Sequence, residues 1–277
     1  MITCGTASGE RRVAHGAFKA RGVTLIELIV VIAIIAILIA VIMPAISNAR
    51  QAAYKTAALS QEHQLGLAAM LYTNDFDTRM VPSTNYGIPE TEPERIWSVN
   101  LFGYAGNNKG PFIAKGSNGM YPGSWKLRGW GSFGMNAATS IDVEDGCEES
   151  QEDKQSCDSF TEAAIVDKSD NPALVPLFTT TPAGPTEKNY RGYEFNPYNG
   201  LPRPDNVRES APLVSDIDLV PDFYVLPPDL LKAVFARYNA TGKKEGFAPV
   251  LFADGHSKAY SAKAIEFGKT GILWRFR

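Results

Sequence analysis

The most uneven feature of the chain is where its hydrophobic residues fall. From Leu28 to Met43 every residue is apolar, and Val23–Ile26 before it and Pro44–Ile46 after it lengthen the run. A stretch of about 20 apolar residues is what an α-helix needs to cross a bilayer. A buried strand is shorter, and a core helix of a soluble protein carries a polar stripe that is missing here. From Ala45 to about Thr73 the pattern changes. Ile46, Ala49, Ala53, Ala57, Leu67 and Leu71 recur at steps near three and four, and Leu65, Ala68, Ala69 and Tyr72 widen the stripe. The pattern predicts one helix over 23–73, bent at Pro44, with Asn74-Asp75-Phe76-Asp77 ending it.

Between Pro82 and Gly246 the apolar residues come in short bursts separated by Gly and Pro: Ile96–Val99, Ser132–Met135, Ala173–Phe178 and Ala211–Val214. Such bursts read as short strands with long loops. Asp229–Ala236 reads as a short helix capped by Asp229. Near the C-terminus Asp254-Gly255 stands between two strand-like runs, Pro249–Ala253 and His256–Tyr260, which is a hairpin signal. The fold class expected is α+β, a long N-terminal helix packed on a C-terminal antiparallel sheet. The expected divisions are 1–22 as a basic leader, 23–44 as the membrane half of the helix, 45–74 as its exposed half, and 75–277 as a globular domain.

Charge sharpens this picture at both ends of the apolar run. The first 22 residues carry Arg11, Arg12, Lys19 and Arg21 against Glu10, while the whole chain has a formal charge of −3. Basic residues before a span keep that side in the cytoplasm, so the C-terminal bulk is expected outside. Nothing in the remainder is basic enough for a nucleic-acid surface. One acid, Glu27, stands inside the apolar run. A carboxylate in hydrocarbon is costly unless paired, so it marks function by default.

Around that acid the chain reads Arg21-Gly22-Val23-Thr24-Leu25-Ile26-Glu27-Leu28. This resembles the type III signal of prepilins, in the family of type IV pilins and type II secretion pseudopilins. The resemblance implies cleavage between Gly22 and Val23 by a prepilin peptidase and N-methylation of Val23 by the same enzyme. It implies that Glu27, the fifth residue of the mature chain, pairs with the N-terminal amine of a neighbouring subunit. Pro44 falls where many members carry a helix-loosening proline. Val23 stands where the family usually has Phe. The implied partners are the peptidase/N-methyltransferase, copies of this chain and sister pilins, and an inner-membrane assembly platform. The implied location is the bacterial inner membrane, N-terminus inward, then a pilus or pseudopilus. The alternative is a membrane-tethered binding domain that never polymerises. Leu71–Asp75, Gly131–Asn136 and Asp254-Gly255 also resemble the pilin-like subfamily with a C-terminal "H-X9-DG" element. Its histidine is not matched, because Lys244 occupies that place.

Cysteine and acid patterns add two readings that stay open. Cys147 and Cys157 lie in one acidic loop and either close it as a disulfide or stand as two thiols. Asp142, Glu144 and Asp145 offer oxygen ligands of the kind calcium takes, but the EF-hand spacing is absent and such runs are usually solvated. No cofactor is otherwise expected. The histidines are His15, His63 and His256, and no metal, P-loop or hydrolase motif surrounds them, so no enzyme activity is expected.

Overall fold

The computed structural model describes residues 23–76, 78–85, 88–89, 92–117, 132–136, 171–182, 194–195, 211–212, 214–215, 234–240 and 245–274. The backbone separates into two units, Met1–Ile46 and Ser47–Arg277. A single helix, α1 (Leu25–Asp75), runs through the boundary with Pro44 inside it. Proline has no N–H, so the carbonyl one turn earlier, Ala40, loses its partner.

In the first unit, residues 23–46 are exposed at every position. Leu25–Ile46 spans about 33 Å at 1.5 Å per residue, close to the hydrocarbon thickness of a bilayer. The helix is long and apolar enough to cross a membrane.

The second unit holds the remaining elements. A 3₁₀ turn (Pro93–Arg95) leads into α2 (Trp97–Phe102). The strands are β1 (Phe133–Asn136), β2 (Pro176–Thr180), β3 (Glu194–Phe195), β4 (Val214–Ser215), β5 (Val234–Phe235), β6 (Phe247–Phe252) and β7 (Ser257–Ser261). A last helical turn, α3 (Ala262–Glu266), is capped by the Ser261 hydroxyl, which accepts from the Ala264 N–H at 3.2 Å. The main sheet has the order β3-β1-β2-β6-β7, and β4 pairs with β5 in a separate ribbon. Pairs β1–β2, β2–β6 and β6–β7 are antiparallel, with Phe133 opposite Thr180 and Phe247 opposite Ser261. The expected sheet was wholly antiparallel; β3 joins β1 in parallel instead, and so does β5 with β4. A parallel pair needs a long crossover, and the chain between Asn136 and Glu194 is long enough to supply one.

Two further expectations are corrected. Ile96–Val99 was expected to be a strand. Ile96 does make one antiparallel bridge to Thr84, but Trp97 opens α2. The helical residues put Trp97 and Leu101 on one buried side. Asp229–Ala236 was expected to be helical, yet Val234–Phe235 is strand β5; residues 229–233 lie outside the described residues. β-branched and aromatic side chains favour this extended form once a partner strand is available.

The outer half of α1 buries Ala58, Gln61, Glu62, Leu65, Gly66, Ala68, Ala69 and Thr73. Of the expected stripe, Leu65, Ala68 and Ala69 are inside, but Ile46, Ala49, Ala53, Leu67 and Leu71 are exposed. The true face is rotated onto two polar residues. Gln61 explains its own burial: its amide donates to the carbonyls of Gly110 and Ile113, and its oxygen accepts from the Lys115 N–H at 3.2 Å. One side chain thus fastens the 110–115 segment to the helix. Gly66 allows close approach to β6, since a Cβ there would sit 3.0 Å from Leu251 Cδ2. The core on this side joins Leu65 and Ala69 to Trp97, Phe112, Phe133, Met135, Phe178 and Leu251. Trp97 meets Phe178 edge-on at 4.9 Å and lies over Phe112 at 5.7 Å, geometries that add to plain area burial. On the other sheet face Phe195, Val250, Phe252, Ile265 and Trp274 form a second cluster. Asn136, the last residue of β1, ties that cluster together by donating to the carbonyls of Pro176 at 3.0 Å and Trp274 at 3.2 Å.

Candidate processing and assembly site

The residues singled out by sequence are concentrated at the start of α1. Val23 is exposed, and the helix begins two residues later. The Thr24 carbonyl accepts the first helical bond, from the Leu28 N–H at 3.2 Å. Thr24 is therefore the N-cap and Glu27 the third helical residue, the positions of a capping box. Its bonds are made. The Glu27 N–H donates to Thr24 Oγ1 at 3.3 Å, and Glu27 Oε2 accepts from the Thr24 N–H at 2.8 Å and from Thr24 Oγ1 at 2.9 Å.

This arrangement has two consequences. First, the acid is held at the helix N-terminus, where free backbone N–H groups and the helix dipole favour negative charge. Second, every bond it makes is local and goes to Oε2, so Oε1 remains available to a donor from outside the chain. The box involves Thr24 and Glu27 only, so a cut between Gly22 and Val23 leaves it intact. Thr24 was not named as a functional residue from sequence, although its place three before a glutamate was the readable sign.

The other expected site residues divide by position. Gly22 lies outside the described residues, as do Cys147, Cys157, Asp142, Glu144 and Asp145. Among the described residues no group of three or more His, Cys, Asp or Glu is placed to hold a metal ion. Asp254 and Gly255 do turn the β6–β7 hairpin. Gly255 has φ +86°, a left-handed conformation that glycine adopts freely, and its N–H donates to the Phe252 carbonyl at 2.9 Å. Asp254 Oδ1 accepts from the His256 N–H at 3.1 Å and lies 2.6 Å from His256 Nδ1. The imidazole stacks on Phe252, ring centroids 4.4 Å apart. His256 is thus a brace of the turn. His63 is exposed on α1.

Residues 18–43 match the family model of the prokaryotic N-terminal methylation motif. The match covers Gly22 and Val23, the capping box and most of the apolar run, as a type IV pilin-like prepilin signal does. No curated protein and no solved structure matches the chain. The motif and the exposed apolar half of α1 together describe a membrane-anchored, single-pass protein.

Proposed function

We propose that this chain is a structural subunit of a type IV pilus-like or type II secretion pseudopilus filament. A prepilin peptidase cuts it after Gly22, Val23 becomes the N-methylated terminus, and the subunit polymerises through its N-terminal helix. The observation that carries the reading is the match of residues 18–43 to the methylation motif, with Glu27 fixed in the first turn of an exposed apolar helix. The partners are the peptidase, other copies or sister pilins, and an assembly platform in the inner membrane. The second unit faces the periplasm or the outside.

The physics of assembly follows from the end of the helix. Cleavage creates an α-amine at Val23, with an ordinary pKa of about 7.7–8.0, so it is largely cationic. In hydrocarbon, an amine and a carboxylate from adjacent helices satisfy each other far better than either does alone. Val23 and Glu27 are four positions apart, so the pairing offsets neighbours along the filament by about 6 Å, at 1.5 Å per residue. Methylation retains the positive charge.

The direct test is the N-terminus of the protein taken from the membrane fraction. Mass spectrometry is expected to find a chain starting at N-methyl-Val23; a chain starting at Met1, or an unmethylated Val23, contradicts the reading. The scissile bond needs backbone to approach the protease closely, which a side-chain-free residue permits. Gly22→Leu is accordingly expected to leave the precursor uncut, seen as a slower band on a blot. A normally shortened product from that variant would count against the peptidase.

A further inference from the structure

The second unit contains an acid that the filament reading does not use. Glu62 lies on the buried face of α1, directly after Gln61, and is 0% exposed. Among the described residues, neither of its carboxylate oxygens has a hydrogen-bond partner. Its neighbour Gln61 is equally inside but has three bonds. Along the helix its position falls between two residues that meet β6. Lys55, two turns earlier, lies over the Phe247 ring at 5.0 Å, and Gly66, one turn later, packs on Leu251.

The surroundings offer the acid no counter-charge among the described residues. The elements of this core are β1 (Phe-Gly-Met-Asn), β2 (Pro-Leu-Phe-Thr-Thr), β6 (Phe-Ala-Pro-Val-Leu-Phe) and α2 (Trp-Ser-Val-Asn-Leu-Phe), none with an ionisable side chain; β3, beside β1 in the same sheet, carries a second buried acid, Glu194. The titratable groups nearby are Tyr238 in the core and Tyr54 and Tyr72 at its edge. The cations are Lys55, whose ammonium is on Phe247, and exposed Lys115; His63 points to the surface from the same helix. Burial pushes the Glu62 carboxyl well above the usual carboxylate range.

We propose that Glu62 is a proton-operated latch between the outer half of α1 and the sheet: protonated, it lets the helix lie on β6, and ionised, it favours release of that face. An ionised carboxylate without a partner is not tolerated in an apolar interior. Losing the proton to water therefore either opens the contact or is prevented by it. The sign follows from linkage. The closed state holds the proton over a pH range in which the open, solvated state has already lost it, so closure weakens as pH rises through that range. The latch operates in the second unit whether or not the chain is cut at Gly22.

Hydrogen exchange on the full chain in detergent, from about pH 5 to about pH 9 and corrected for intrinsic rates, tests this. Protection over residues 58–69 is expected to fall with rising pH, by up to about tenfold per pH unit inside the window. Glu62→Gln, which has nearly the same shape and no charge, is expected to abolish that slope; Glu62→Leu serves if the amide variant fails to fold. A pH-independent wild type, or an unchanged slope in the variants, overturns the latch. Infrared spectroscopy gives a second reading. A protonated-carboxyl band that is lost in step with protection and missing from Glu62→Gln supports the proposal. An ionised carboxylate inside a fully protected helix at neutral pH overturns it.

Discussion

Glu27→Leu is expected to be inserted and cut like the native chain but to give at least about tenfold less filament, measured by shearing and quantifying assembled material. The native carboxylate has local donors only on Oε2, and in the proposed filament its charge meets the Val23 amine of a neighbour. Removing one partner of a buried ion pair leaves the other charge uncompensated and costs about 3–5 kcal/mol, and each 1.4 kcal/mol is tenfold in an equilibrium. Leucine removes the charge and the capping box together, so the variant alone does not separate the two. Glu27→Gln does, because an amide oxygen still accepts from the Thr24 N–H while carrying no charge. If charge pairing sets assembly, the Gln variant loses filaments too. If it assembles normally, the acid serves only to start the helix. Normal yield from Glu27→Leu would remove the basis for assembly through this residue.

A different part of the molecule is expected to respond most strongly in stability. Gly246 immediately precedes β6, where the chain passes against the segment before Tyr238. A Cβ at this glycine would stand 1.9 Å from the Ala236 carbonyl oxygen and 3.1 Å from that of Tyr238. Both obstacles are backbone, so no side-chain rotation relieves them. The same stretch is pinned by reciprocal Phe247–Tyr238 bonds of 2.7 and 3.2 Å and by the Ala262 N–H on the Gly246 carbonyl at 2.9 Å. Gly246→Ala must break some of these contacts. The expected loss is about 3 kcal/mol, at the upper end of overpacking effects. Denaturant unfolding followed by near-UV circular dichroism measures it; a change below about 0.5 kcal/mol, the size of an ordinary surface substitution, would show that the two segments are not held together as described.

The parts of the fold readable from sequence are those where one physical demand dominates. The run from Leu28 to Met43 has no soluble interpretation, and α1 follows from it. Asp254-Gly255 needs a left-handed residue between two strands, and the hairpin follows. The parts misread are those where two demands compete. On the outer half of α1, alanine is tolerated inside and outside alike, so Ala49, Ala53 and Ala57 suggested a stripe without specifying it. The deciding residues are Gln61 and Glu62, polar side chains that a hydrophobic pattern assigns to solvent. Only the tertiary partners of Gln61, carbonyls some fifty residues away, make its burial sensible. Ile96–Val99 is too short for its period to distinguish helix from strand. The parallel entry of β3 depends on a crossover that no local pattern encodes. At the candidate site, the acid was legible because charge in an apolar run is costly. Thr24 was passed over because a capping threonine satisfies the acid silently.

The strand on which the outer half of α1 rests, β6, comes almost last in the chain, and a polypeptide emerges from the ribosome N-terminus first. The side of α1 that includes Leu65, Gly66 and Ala69 is made well before Leu251 exists to cover it. Until residue 252 is made that surface is a sticky, unfinished half-core, and synthesis halted short of it leaves the surface bare to chaperones and proteases.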